Sequence, residues 1–300
     1  MKLLTIAALG LSLFGCKKNQ STPSDYHETA TTKFVMTNGV SYAYRELGND
    51  TGTPVLMISP LGSNMDDWDP AITNALAQKY KVILFDLPGE GASSGTTPDN
   101  IAGMAQSVTA FVHALGIPKV NLLGFSLGSF ISQQIVLTAP GIVNKMILTG
   151  TGPKGAVGLS NLPELLAAGA NLTAEENFLR FGFTTSNESL AKGKAAWLRI
   201  QERVQDRDSA VSQASATAQV TAVLGWAQPY ANAAGELKTI TQPVLIVQGK
   251  EDVPVPVGNA EFMAENIPNA QLIVYPDAAH AALFQHPTEF VQSVITFIEQ

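Results

Sequence analysis

The chain has 300 residues, 45% of them hydrophobic and 14% charged, with a formal net charge of −7. That composition supports a large buried core and excludes general disorder, while the acidic balance without any Lys/Arg-rich run excludes nucleic acid and leaves a small molecule as the expected partner. Cys16 is the single cysteine, so an intrachain disulfide and a cysteine zinc cluster are both excluded.

Met1-Lys2 gives a short basic start, Leu3 to Leu13 an apolar stretch too short to span a bilayer, and Leu13-Phe14-Gly15-Cys16 resembles the lipobox of bacterial lipoproteins. The resemblance implies a signal peptide over residues 1–15 and acylation of Cys16 by palmitate-like chains. It also implies a lipid-anchored place in the bacterial cell envelope, on the periplasmic or extracellular face. Phe14 is bulkier than the residue usual there. Residues 16–32 are polar and Ser/Thr-rich, the composition of a flexible tether.

Lys33 to Thr37 and Val40 to Tyr44 are β-prone runs around Asn38-Gly39, a strong hairpin signal. Continuous apolar runs follow at Val55 to Ile58, Val82 to Phe85, Val120 to Leu123, Met146 to Leu148, Val244 to Val247 and Leu272 to Tyr275. Such runs suit strands buried on both faces. Helix-length segments lie between them, such as Ile101 to Leu115, capped by Asp99 or Asn100, and Leu127 to Thr138. The alternation predicts an α/β fold with a mostly parallel, doubly wound sheet and helices on both faces. Its core occupies residues 33–152 and 239–300. Residues 153–238 carry no strand run and read as an inserted helical cap, with a capping box at Thr173 to Glu176. Most of the cap's aromatic residues are expected to pack, with one or two lining a pocket.

Gly124-Phe125-Ser126-Leu127-Gly128 joins a strand run to a helical segment, the setting of a nucleophile elbow. A serine hydroxyl needs a base to accept its proton. Of the four histidines, His27 lies in the tether, His113 inside a helix with a structural role, and His286 at the start of the final helix. His280 follows the last strand run by a short loop and is the candidate base. Asp252, just past the run Val244 to Val247, is the candidate carboxylate to orient it. Glu251 should point elsewhere, and Asp277 is too near His280 along the chain. The oxyanion would be held by the backbone N–H groups of Leu127 and Leu61; Pro60 has none to give.

These motifs identify the chain, from Lys33 onward, as similar to the capped α/β-hydrolase superfamily, in its branch of serine esterases, perhydrolases and carbon–carbon bond hydrolases. Phe85-Asp-Leu-Pro-Gly-Glu-Gly-Ala-Ser93 matches the family's Asp-x-x-Gly-x-Gly-x-Ser loop, and Asp277-Ala-Ala-His280 its C-terminal block. Ser59-Pro60, Glu90 and Ala279 depart from the usual His-Gly, His and Gly. The resemblance implies a Ser126–His280–Asp252 triad acting on a small or medium hydrophobic carboxylic ester, with no cofactor and no metal. Two alternatives stay open: cleavage of a carbon–carbon bond in a β-diketone-like compound, and a lipid-anchored ligand-binding protein with little turnover. Oligomeric state is not readable from the sequence.

Overall fold

Asn38 and Gly39 turn the chain at φ of 50° and 77°, joining β1 (Lys33–Thr37) to β2 (Val40–Leu47) in register from Thr37↔Val40 to Lys33↔Tyr44. Two successive residues at positive φ are what a two-residue hairpin turn demands, and Asn-Gly supplies them at low cost. This computed structural model describes residues 25–49 and 51–300; the expected signal peptide and Cys16 lie outside the described residues.

The remaining strands are β3 (Val55–Ile58), β4 (Val82–Phe85), β5 (Val120–Phe125), β6 (Val143–Thr149), β7 (Val244–Gly249) and β8 (Ala270–Tyr275). They form one sheet in the order β1-β2-β4-β3-β5-β6-β7-β8, parallel from β4 to β8 and antiparallel across β1, β2 and β4. This is the predicted α/β architecture. Several strands outrun their apolar cores: β6 begins three residues before Met146, because Val143, Asn144 and Lys145 continue the extended backbone at the sheet's N-terminal edge.

The period of two along each strand divides the core. Leu56, Ile58, Leu122 and Leu148 face one layer, packed with helices Ile101–Ala114 and Leu127–Thr138. Val55, Met57, Leu123 and Ile147 face the other, packed with helices Pro70–Ala77 and Pro287–Glu299. Each such fully buried aliphatic side chain contributes about 1.5–3 kcal/mol. Asn100 caps the first of these helices by accepting the Gly103 N–H at 2.8 Å, and His113, expected to have a structural role, is exposed in its last turn.

β3 sits with β4 on one side and β5 on the other, so the chain leaves it in opposite directions. Ligands of open α/β sheets bind beyond the strand C-termini at such a reversal, where the loops after β3 and β5 meet. Between β6 and β7 the described residues form five α-helices and no strand: Leu162–Ala167, Ala174–Gly182, Asn187–Ile200, Gln213–Trp226 and Ala233–Leu237. The second opens on the expected capping box, with Glu176 N–H donating to Thr173 Oγ1 (3.2 Å) and Thr173 N–H to Glu176 Oε2 (2.8 Å).

Of the stretch expected to be a tether, the described part, from Asp25 onward, is held against the domain. Tyr26–Thr29 is a single helical turn, His27 is 1% exposed, and Arg203 from the insertion donates to the carbonyls of His27, Glu28 and Ala30. Backbone carbonyls make these contacts, which polar composition does not reveal.

Candidate active site

Ser126 stands between β5 and helix Leu127–Thr138 at φ 53° and ψ −114°. Such a conformation costs a non-glycine residue about 1–3 kcal/mol, so the surroundings must hold it. Ser126 N–H donates to Thr149 O (2.8 Å), and Ser129 Oγ donates to Gly124 O and Thr149 O. The flanking glycines are required by contact: a Cβ at 124 would lie 2.4 Å from Gly128 O, and one at 128 would lie 2.0 Å from Ile58 O. Ser126 makes no side-chain cap to the helix it begins, which leaves its hydroxyl uncommitted.

His280 and Asp252, which enter from the loops after β8 and β7, meet at the same sheet edge. Their Nδ1 and Oδ2 atoms are 2.8 Å apart, and both residues are 4% exposed. With Nδ1 bound to the carboxylate, Nε2 is the ring nitrogen left for other work. Asp252 is itself fixed: Oδ2 accepts from Gln248 Nε2 (2.7 Å) and Oδ1 from Val255 N–H (2.8 Å). Gln248 in turn accepts the Thr151 N–H at 3.0 Å. Sequence reasoning passed over Gln248, whose signal was a polar residue ending an otherwise apolar strand run.

Gly150, in the turn after β6, sits against this pair at φ 58°. The imidazole lies between the Phe125 ring (centroids 5.1 Å apart) and that of Phe181 from the insertion (5.6 Å, edge-on). Glu251 is exposed, and Asp277 accepts from Thr184 and Ser186 hydroxyls, so neither approaches the pair. His286 precedes the last helix and stacks on Tyr275 at 4.5 Å.

Ser126, His280 and Leu61 line one cavity of about 700 Å³ between the sheet edge and the insertion. Phe178, Phe181 and Trp197 give it an aromatic wall of three residues where one or two were expected. Arg207 and Asp208 add a charged margin; burial, then the charge of Asp66, pushes the Asp208 carboxyl up to about 6. Leu127 starts its helix and Leu61 lies in a turn; neither N–H has an acceptor among the described residues.

The loop carrying the Asp-x-x-Gly-x-Gly-x-Ser pattern is a brace for this edge. Asp86 accepts the Met65 N–H (2.9 Å) and Ala92 N–H (3.3 Å), while Ser93 Oγ donates to Asp86 O. Ser59, at the usual histidine position, accepts from Trp68 Nε1 (3.1 Å) and donates to Asn64 O, bridging the turn from within.

The model of the alpha/beta hydrolase fold family matches residues 53–287. The chain belongs to that family. It is an enzyme, a hydrolase. Among solved structures it is similar to an alpha/beta hydrolase fold protein from Chitinophaga pinensis, with 38% identity and a TM-score of 0.88 over 91% of this chain and 99% of that one. Among curated proteins it is 29% identical to a 2-hydroxy-6-oxo-6-phenylhexa-2,4-dienoate hydrolase of Burkholderia cepacia, over 92% of this chain and 99% of the relative. It is 27% identical to a pimeloyl-[acyl-carrier protein] methyl ester esterase of Nitrosomonas europaea, over 80% of this chain and 93% of the relative.

Proposed function

We propose that the protein is a serine esterase of small or medium hydrophobic carboxylic esters, with Ser126 as nucleophile, His280 as general base and acid, and Asp252 as the group that orients His280. The observation that carries this reading is the 2.8 Å Asp252–His280 contact at the edge where Ser126 is held in its strained turn, above one shared cavity. Ser126 Oγ attacks the ester carbonyl carbon and its proton passes to His280 Nε2. The oxyanion is held by the N–H groups of Leu61 and Leu127, and the carboxylate of Asp252 stabilises the imidazolium. Collapse returns the proton to the departing alcohol and leaves an acyl-serine, which water cleaves through the same base. The aromatic wall of Phe178, Phe181 and Trp197 favours an apolar acyl or aryl group.

The test is hydrolysis of p-nitrophenyl esters of increasing acyl length by wild type and Ser126→Ala. Turnover lost in a folded variant supports the reading; equal rates in both overturn it. A second reading, cleavage of a carbon–carbon bond with the triad acting on water, is favoured by the similarity to the Burkholderia dienoate hydrolase along nearly its whole length. Release of the acyl fragment from a vinylogous diketone, with esters left intact, would select it. Membership among hydrolases favours either enzyme over the low-turnover binding protein.

We also propose that Cys16 is acylated and anchors the enzyme in the cell envelope, a reading supported by Leu13-Phe14-Gly15-Cys16. Incorporation of a labelled palmitate analogue into wild type, absent in Cys16→Ser, is the expected result.

A further inference from the structure

Three residues far apart in sequence form one polar chain across the active-site edge, buried at two of its three members. Gln219, on helix Gln213–Trp226 of the insertion and 1% exposed, accepts the Gly62 N–H through Oε1 at 2.8 Å. Its Nε2 donates to Glu90 Oε1 at 2.7 Å, and Glu90 is 2% exposed. One helical turn earlier Ser215 Oγ donates to Gly89 O (2.8 Å), so the same face of the helix grips the same loop twice. Glu90 stands where the resembling family has His, and this contact is its evident use.

The carboxamide has a dictated orientation. The Gly62 N–H can only donate, so it faces the amide oxygen and leaves the amide nitrogen to donate to Glu90 Oε1. The reverse orientation would set oxygen against carboxylate and N–H against N–H. Gly62 N–H belongs to the peptide joining Leu61 to Gly62, and Gly62 has φ 79°, so pinning that peptide fixes the turn that presents Leu61 N–H. Leu61 lines the cavity with Ser126, and its N–H has no acceptor among the described residues.

We propose that Gln219, oriented by Glu90, is a positioning residue for the oxyanion turn, through which the insertion sets the aim of the Leu61 N–H. The proposal rests on the serine-hydrolase reading above. Gln219 does not touch the reacting atoms. Without it Leu61 N–H would still be present but loosely aimed, and the loss would fall on the transition state more than on substrate binding.

The test uses the full chain as wild type, Gln219→Leu, Gln219→Glu and the double variant Glu90→Gln/Gln219→Glu. Two readouts are taken: kcat and KM on p-nitrophenyl butyrate, and hydrogen exchange at the Gly62 amide. In the double variant residue 90 supplies the donor and residue 219 accepts from both sides, which rebuilds the chain with only the link between 90 and 219 reversed. The expected result is a kcat about 10- to 100-fold lower in both single variants, KM within about twofold, faster Gly62 exchange, and recovery of both readouts in the double variant. A tie that merely seats the insertion would instead move KM and melting together without rescue, and that result overturns the proposal. So does unchanged kcat beside faster exchange. If wild type matches Ser126→Ala on the ester, the esterase reading fails by itself. Gly62 exchange then decides alone: protection lost in Gln219→Leu and regained in the double variant supports the positioning role, and unchanged exchange overturns it.

Discussion

Gly150 and His280 share a space that no side chain at position 150 enters: a Cβ there would lie 2.9 Å from the imidazole Cε1 and 3.0 Å from the Phe125 ring. The backbone at φ 58° adds its own preference for glycine. On the proposed triad, Gly150→Ala is therefore expected to displace the His280 ring and lower kcat by about 10²-fold, the effect of misplacing a reacting group by about 1 Å. Steady-state kinetics on a folded variant decide it; a wild-type kcat would mean the ring tolerates the shift.

If Asp252 orients His280 as proposed, Asp252→Asn should keep the shape of the pair while disturbing the tautomer it holds, lowering kcat by about 10⁴-fold as in established triads. Gln248→Leu removes one donor to the buried carboxylate and should lower kcat by about 10- to 100-fold, from the ~1.5–3 kcal/mol of a hydrogen bond to a charged group. If both variants lose equally, Gln248 holds the whole loop rather than the carboxylate alone, a difference visible in their melting temperatures.

His27 should make the enzyme acid-sensitive apart from any catalytic titration. Burial pushes its pKa from 6.5 down to about 4, against the pull of Asp66. The ring packs neutral, with Nδ1 2.9 Å from Thr73 Oγ1 and Nε2 buried without a hydrogen-bond partner among the described residues. An unfolded histidine takes up its proton near 6.5 while the folded one resists, so its contribution is complete above 6.5 and is lost as pH falls through about 4. The shift corresponds to roughly 3 kcal/mol. Urea midpoints at pH 7.5 and 4.5 should drop further for wild type than for His27→Gln; parallel drops would sink the assignment.

Glu90 has the opposite sign. Burial raises it from 4.5 to about 7, against the lowering effect of the Gln219 hydrogen bond. Its contribution to stability is complete below 4.5 and is lost as pH rises through about 7, as the buried carboxyl ionises beside Asp86. Glu90→Gln should thus gain on wild type between pH 5 and pH 8, by up to roughly 3 kcal/mol. A difference in melting temperature that stays constant with pH would count against it.

What the sequence made legible was local. Asn38-Gly39 encodes its turn in two residues, and the helix Leu127–Thr138 begins and ends where its own residues dictate. Ser126, Asp252 and His280 could be placed because each follows an apolar run by a few residues, and parallel strands bring such loops to one edge. Gln219 was not legible: its partners are 157 and 129 residues away, and a glutamine in an Ala/Ser/Thr-rich helix reads as a solvated side chain. Arg203 was hidden for a related reason, since it binds carbonyls of residues 27–30 that every sequence possesses.

That arginine shares with Asn74 the hold on the N-terminal turn. Residues 27–30 hang on the insertion through Arg203, whose Nε lies 3.3 Å from Asp66 Oδ1, itself bonded to Arg45 of β2. A lipid, tag or fusion partner ahead of Asp25 consequently loads two bodies at once: the insertion through Arg203, and helix Pro70–Ala77 through Asn74, which donates to Asp25 Oδ1 at 3.0 Å and accepts the His27 N–H at 2.8 Å. Strain applied at that end is therefore shared between the insertion and the core that carries it.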